Sequence, residues 1–146
     1  MTEPFKLKRI PSLKTAEAFR AHVASLGIEI PCDDQIVTEG SPIGEALDGL
    51  TIHGKTIGNR IALHPMEGWD GTTEGRATDP MRRRWRRFGE SGAKLIYGCE
   101  AMAVRADGRA NPNQLIINKE SRVDLIELRE ILLKAHRERH GEIDDL

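Results

Sequence analysis

The sequence predicts an α/β fold that contains a parallel sheet. From Arg60 onward, short apolar runs alternate with longer stretches of helical periodicity, in the order strand, helix, strand, helix. A crossover helix returns the chain to the same end of a sheet, so an alternation of this kind pairs its strands in parallel. No internal repeat or low-complexity segment interrupts the pattern.

Residues 1–49 are predicted to form an N-terminal extension with one helix. This helix begins near Thr15, and Gly27 stops it. Its apolar face consists of Ala16, Phe19, Val23 and Leu26. Pro, Gly, Asp and Ser dominate residues 31–49, which are therefore predicted to be mostly loop.

Residues 50–146 are predicted to form the α/β domain, which opens with a small hairpin. The β-prone runs 50–53 and 55–57 meet at Gly54. The first strand of the parallel sheet, residues 60–64, ends abruptly at Pro65. A glycine-rich loop over residues 68–78 follows it.

Two amphipathic helices and a second parallel strand complete this domain. Asp79 is predicted to cap the first helix, with Pro80 at the first helical position and Ser91-Gly92 at the end. The apolar face of this helix is Met81, Trp85 and Phe88. The second strand is residues 94–99, and a long loop over residues 105–118 follows. Ser121 and Asp124 are predicted to form a near capping box for the last helix, whose inner face is Leu125, Leu128, Leu132 and Ala135.

The composition is that of an ordinary globular protein and argues against several function classes. Of 146 residues, 38% are apolar and 31% charged, and the net charge is −1. Such a chain lacks a field that would steer nucleic acid or an anionic membrane, and no apolar run approaches the ~18 residues that span a bilayer. Its two distant cysteines argue against a disulfide scaffold or a Cys-rich zinc site. Because the N-terminus also lacks a signal-peptide pattern, we expect a cytoplasmic protein.

The predicted sheet is too small to be buried by itself. Parallel sheets need cover on both faces, and two strands cannot provide it. A third strand is expected where residues 141–146 end the chain, so we expect a truncated piece of a longer protein. The alternative is a short protein that completes its sheet by forming a homo-oligomer.

Four segments carry motifs in a fixed order and spacing. Residues 59–66 read Asn-Arg-Ile-Ala-Leu-His-Pro-Met, and residues 87–96 lead through Gly-Glu-Ser-Gly-Ala into the second strand. Residues 100–104 read Glu-Ala-Met-Ala-Val before Gly108-Arg109, and residues 123–141 form the last helical segment. Together these segments resemble the first two strands and the second helix of the old yellow enzyme family of NAD(P)H:flavin oxidoreductases.

The resemblance implies an incomplete TIM (β/α)8 barrel, made of the N-terminal extension and the first two βα units. It implies an FMN-dependent oxidoreductase of the ene-reductase type, in which NADH or NADPH supplies the electrons and an activated alkene is the small-molecule substrate. The family's substrate-binding residues and phosphate-binding loops lie on later strands. We therefore expect no catalytic residue in this segment, and no turnover by the segment alone.

The resemblance also assigns the residues that contact the cofactor, because barrel sites lie at the carboxyl ends of the strands. These residues are His64, Pro65, Met66, Glu67 and Ala101. Pro65 and Met66 are expected to form an apolar wall, and a small residue at Ala101 lets a flat ring approach. Without the resemblance, Pro65 simply ends a strand, Ala101 simply packs, and His64 is either a core histidine or a neighbour of the flavin.

Glu67 and Trp69 carry two further hypotheses. The family commonly has Thr or Cys at the position of Glu67, so a carboxylate there is expected to lower the flavin potential in the complete enzyme. A solvent-facing or loop-capping Glu67 is an equal alternative. Trp69 falls where some members place an aromatic residue over the substrate pocket, and its alternative role is a loop aromatic pinned to the barrel rim.

The arginine-rich stretch over residues 82–87 supports a non-catalytic alternative. A small α/β binding module could use this basic helix to hold an acidic partner. Because one face of the helix is committed to packing, we expect a solvated face or ion pairs rather than a nucleic-acid site. His136 and His140 share a helix face at i, i+4 but lack a visible third ligand, so we expect no metal site.

Overall fold

A computed structural model describes residues 8–146 of the chain. The predicted N-terminal extension contains a 3-10 turn, Ile10–Ser12, and helix α1, Ala16–Ser25. The side chain of Thr15 accepts a hydrogen bond from the Ala18 backbone N–H (3.1 Å), which caps α1 where the sequence predicted its start. The first seven residues of the predicted extension lie outside the described part.

A short helix, α2 (Pro42–Leu47), occupies part of the segment predicted to be loop. The Ser41 hydroxyl accepts a hydrogen bond from the Gly44 N–H (3.2 Å), and Pro42 stands in the first turn, where its missing N–H costs nothing. The Ser and Pro that indicated a loop are therefore the start signals of a helix, and this helix is too short to show apolar periodicity.

The predicted hairpin is confirmed. Strand β1, Leu50–Ile52, pairs antiparallel with strand β2, Lys55–Ile57, and Leu50 faces Ile57. The two residues of the turn, His53 and Gly54, have φ of 48° and 77°. Two successive positive φ values match the right-handed twist of the flanking strands, and the glycine makes the second of them free of strain.

The predicted parallel pairing is also confirmed, although both strands are shorter than predicted. Strand β3, Ala62–Leu63, pairs in parallel with strand β4, Leu95–Ile96. Helix α3, Asp79–Glu90, forms the crossover between them. The described part of the chain is thus mixed α/β, with four α-helices and two small sheets.

The structure corrects the predicted start of α3. Thr78 rather than Asp79 precedes the first helical residue, and its side chain makes no capping hydrogen bond. The Thr78 hydroxyl donates instead to the carbonyl oxygen of Asp70 in the preceding loop. Asp79 is the first residue of the helix and accepts a hydrogen bond from Arg82 (3.2 Å). A carboxylate in the first turn is still favourable, because it lies near the positive end of the helix dipole.

The predicted capping box of helix α4, Arg122–His140, is wrong. Ser121 precedes the helix, but its hydroxyl donates to the carbonyl oxygen of Ile116 rather than capping. Asp124 accepts hydrogen bonds from Arg76 Nε (2.6 Å) and from the Ala77 N–H (3.0 Å). Both residues are buried, and buried polar groups need hydrogen-bond partners. Ser121 ties the start of the helix to the segment just before it, and Asp124 ties the helix to the distant loop that precedes α3.

The hydrophobic core lies where α3 and α4 pack against each other and against β4. Its central buried residues are Met81, Trp85, Cys99, Leu115, Leu128 and Leu132. The helices approach most closely at Gly89, where a Cβ would overlap the Leu132 carbonyl oxygen and stand 3.0 Å from the Ala135 Cβ. The predicted apolar faces of both helices are confirmed, with Phe88 and Leu125 only partly buried at the rim of the core.

No helix within residues 8–146 is both long enough and apolar enough to cross a membrane.

Candidate functional site

The carboxyl ends of β3 and β4 meet and continue side by side into their loops. The Tyr97 N–H donates to the Leu63 carbonyl oxygen (2.9 Å), and Met66 pairs with Glu100 in an isolated parallel bridge. The Ala101 N–H then donates to the Met66 carbonyl oxygen (3.0 Å). The structure therefore places Met66, a predicted cofactor contact after the first strand, beside Ala101, the predicted contact after the second.

These five residues form a surface that we call the strand-end wall: His64, Pro65, Met66, Glu67 and Ala101. His64, Met66 and Glu67 are exposed, whereas Pro65 and Ala101 are half-buried. Within residues 8–146 His64 is not part of the core, and its contact with a flavin stays a prediction. Met66 is 59% exposed and Trp69 is 69% exposed, so two large apolar side chains stand in solvent at one end of the sheet. A cluster of this kind is a feature of ligand sites.

Ala101 can offer a ligand little more than its methyl group and one face of its backbone. Its N–H is used by Met66, and its carbonyl oxygen accepts a hydrogen bond from Gln114 Nε2 (2.7 Å). Gln114 is buried, and its own Oε1 accepts from the Ala110 N–H (2.7 Å). Contact at Ala101 would thus be van der Waals contact with a fixed backbone.

Glu67 is anchored by a residue that sequence reasoning missed. The buried side chain of Asn111 donates from Nδ2 to Glu67 Oε1 (2.6 Å) and to the Gly68 carbonyl oxygen (3.0 Å). This geometry favours the loop-capping interpretation of Glu67, while its effect on a flavin potential stays a prediction. The Asn111-Pro112 dipeptide signalled a turn, but nothing in its spacing indicated its partner.

Trp69 lines a cavity of about 330 Å³ beside the strand-end wall. The other lining residues are Met66, Glu67, Gly68, Asp70 and Arg84. This volume is at the lower end of the range for small-molecule sites. The cavity places Trp69 next to the predicted cofactor contacts, and its contact with a substrate stays a prediction.

An ion cluster behind the cavity was not foreseen. Arg84 of α3 donates to both Asp70 oxygens, from Nη2 (2.7 Å) and Nε (3.2 Å), and its Nη2 also lies 2.7 Å from Glu100 Oε2. The Glu100 side chain is completely buried, and its other oxygen accepts from the Gly68 N–H (2.8 Å). Burial raises the pKa of Glu100, and the Arg84 guanidinium opposes this shift. The sequence offered no signal for the cluster beyond an acidic residue after an apolar strand.

The backbone before Glu100 is strained. Gly98 has φ of 76°, and the following residue, Cys99, has φ of 50°, which is unfavourable for a residue with a Cβ. Strained residues persist where the surrounding structure enforces them, and they cluster at functional sites. The Cys99 side chain is itself buried, and burial raises the pKa of its thiol to about 12, so it is a poor nucleophile.

The arginine-rich helix is mostly engaged within the protein. Arg82 donates from Nε and Nη2 to the two oxygens of Glu127 (2.9 Å each), and Arg86 pairs with Glu90 (2.9 Å). Arg83 and Arg87 are exposed and make no ion pair to a residue of the described chain. Only these two, one turn apart, are left to face a partner.

The two histidines of α4 are both engaged by main-chain carbonyl groups. His136 Nδ1 lies 3.0 Å from the Gly89 carbonyl oxygen, and His140 Nε2 lies 3.0 Å from that of Glu90. Within residues 8–146, no group of three or more His, Cys, Asp or Glu side chains is arranged to hold a metal ion.

Comparison with known proteins assigns the chain to no family. It matches none of the family models and none of the curated proteins against which it was compared. The resemblance to the old yellow enzyme family therefore rests on the four motifs, their order and their spacing.

Proposed function

We propose that the chain is the N-terminal part of a cytoplasmic FMN-dependent NAD(P)H oxidoreductase of the old yellow enzyme type, and that the strand-end wall contacts the flavin. The observation that carries the proposal is the hydrogen bond between the Ala101 N–H and the Met66 carbonyl oxygen (3.0 Å). Two motifs that lie 35 positions apart in the chain meet there, at the end of a parallel sheet where barrel enzymes have their sites.

The side chains at this edge suit the ring of a flavin better than its phosphate. Met66 and Trp69 provide exposed apolar surface, and the small side chain of Ala101 permits close approach. The one arginine that lines the cavity, Arg84, is already committed to two carboxylates. The phosphate of FMN would have to be held elsewhere, as the resemblance implies for later strands of a barrel.

The residues of this segment would position the cofactor rather than carry out the reaction. A bound FMN supplies the chemistry of accepting hydride from NADH or NADPH and passing it to an electron-poor alkene. Pro65 and Met66 would exclude water from one side of the ring, and Trp69 would border the space left for the alkene. No side chain of the segment is proposed to transfer a proton.

The proposal is tested by expressing the uninterrupted reading frame that encodes residues 1–146. We expect continuation into further strand–helix units, a yellow product with the absorption bands of flavin, and NADH- or NADPH-dependent reduction of an α,β-unsaturated ketone. A colourless product that leaves both nicotinamide and ketone unchanged would contradict the proposal.

The hypothesis on Glu67 has its own test in that enzyme. If the carboxylate lowers the flavin potential, Glu67→Gln raises the midpoint potential measured by spectroelectrochemistry, because a negative charge disfavours the anionic reduced flavin. Asn111 can still hydrogen-bond to a glutamine at this position. An unchanged potential would leave Glu67 with the loop-anchoring role alone.

A second candidate is a non-catalytic module that binds an acidic partner. Arg83 and Arg87 favour it, because they are exposed and have no ion-pair partner in the described chain. The double substitution Arg83→Gln and Arg87→Gln would abolish salt-sensitive retention of an acidic peptide if this candidate is correct. Retention that does not differ between the two proteins would exclude it.

A further inference from the structure

We propose that Arg84 is a positioning residue, which holds the loop after β3 and the loop after β4 at the separation that a ring bound at the strand-end wall requires. The inference rests on the proposed function for the identity of the ring. Its structural basis is the ion cluster formed by Asp70, Arg84 and Glu100. Asp70 belongs to the first loop, Glu100 belongs to the second, and Arg84 reaches both from α3.

The contacts of Arg84 require a guanidinium. Two nitrogens meet the two oxygens of Asp70, and one of those nitrogens also lies 2.7 Å from Glu100 Oε2. A planar fork makes this arrangement with little loss of side-chain freedom, whereas the ammonium of a lysine is a single point of charge. The Arg84 side chain is only 22% exposed, so solvent screens these pairs weakly.

Gly68 shows how tightly the cluster closes on the first loop. A Cβ at this position would stand 2.6 Å from Arg84 Nη2 and 2.8 Å from Asp70 Oδ1, and would overlap Glu100 Oε1. The Gly68 N–H also donates to Glu100 (2.8 Å). The main chain of the first loop is therefore in direct contact with all three charged groups, next to Glu67 and Trp69.

Removal of Arg84 would act on the spacing of the loops. Asp70 and Glu100 would then face each other as like charges, and Glu100 would be a buried carboxylate without a cation. The strained turn at Cys99 would lose the contacts that oppose its relaxation. Each change would move Met66 and Trp69 relative to Ala101, although Arg84 itself need not touch the ring.

Arg84→Lys is the variant that tests this role, and Arg86→Lys is its matched control on the same helix. Arg86 pairs only with Glu90, and both side chains are largely exposed. In the protein made from the uninterrupted reading frame, we expect Arg84→Lys to weaken FMN binding about tenfold or more, since small displacements of a binding wall have effects of this order. We also expect the visible absorption band of the bound flavin to shift, and Arg86→Lys to change neither quantity. Equal effects of the two variants would overturn the proposal.

The role of Arg84 can be separated from the identity of the ligand. Hydrogen exchange of the Gly68 and Ala101 amides measures the loop contacts without a flavin, and Arg84→Lys should accelerate both about tenfold relative to Arg86→Lys. Accelerated exchange in a protein that binds no FMN would contradict the proposed function but preserve the positioning role. Unchanged exchange would overturn that role whether or not FMN binds. If Arg84→Lys fails to fold, Asp70→Asn removes one arm of the cluster and is judged by the same measurements.

Discussion

His136 should make the stability of the fold fall in mildly acidic solution. The side chain is completely buried, with Nδ1 3.0 Å from the Gly89 carbonyl oxygen and Nε2 3.0 Å from Lys94 Nζ. A carbonyl can only accept and an ammonium can only donate, so the ring is neutral with its proton on Nδ1. A second proton would remove the acceptor of Lys94 and place two cations together.

The direction and size of the effect follow from these contacts. Burial lowers the pKa of His136 below its ordinary value of 6.5, and the Lys94 charge lowers it further. The Gly89 carbonyl group and Asp145, which binds Lys94 at 2.6 Å, oppose the shift, whereas His140 adds to it. The unfolded chain therefore binds the proton more readily, and stability is lost as pH falls below 6.5. For one titrating group the slope cannot exceed about 1.4 kcal/mol per pH unit, and it ends when the folded-state pKa is reached.

Urea unfolding followed by tryptophan fluorescence at a series of pH values measures this slope. His136→Gln should abolish it, while His22→Gln, at a half-buried position of α1, should retain it. Glu100, whose pKa burial raises, contributes a slope of opposite sign, but it does so in all three proteins and cancels in the comparison. If His136→Gln and the unsubstituted chain lose stability equally between pH 6.5 and the acid end of the series, the reasoning is refuted.

Three further predictions concern packing, a half-buried ion pair and the two thiols. Gly89→Ala should lower the unfolding free energy by about 3 kcal/mol, because the added Cβ overlaps the backbone of α4. The control Gly108→Ala, at an open position, should change the unfolding free energy by less than about 0.5 kcal/mol. Asp124→Asn should lower the unfolding free energy by about 2 kcal/mol in the same urea experiment, because it leaves the Arg76 charge unpaired at a partly exposed site. A decrease no larger than that caused by Gly108→Ala would contradict this estimate. A thiol reagent at neutral pH should label the half-buried Cys32, and it should label Cys99 only after the protein is denatured. Prompt labelling of both thiols in the native protein would contradict the burial of Cys99.

The secondary structure was largely accessible from the sequence because its signals are local. Apolar residues at helical spacing placed α1, α3 and α4, and the order of elements predicted the parallel pairing of β3 with β4. The start of α1 was accessible because the capping partner of Thr15 is local, whereas the capping box of α4 was wrong because Ser121 and Asp124 bond to residues outside the helix. Asp124, which looked like a local cap, is held by Arg76 at 48 positions' separation.

The candidate site was accessible only in part for the same reason. Strand ends could be predicted to meet, since the carboxyl ends of parallel strands share one edge of a sheet. Arg84 looked like one member of a solvated arginine face, and only the fold shows that it reaches Glu100. The sequence alone likewise could not separate the two interpretations of Glu67, because Asn111 lies 44 positions further along the chain.

The most direct test of the proposed site is a crystal structure, with FMN, of the protein made from the uninterrupted reading frame. We predict that the isoalloxazine ring lies in van der Waals contact with Met66 and Ala101, with Trp69 bordering the open face of the ring. A flavin bound away from the strand-end wall, or a well-ordered structure that takes up no flavin at all, would contradict the account.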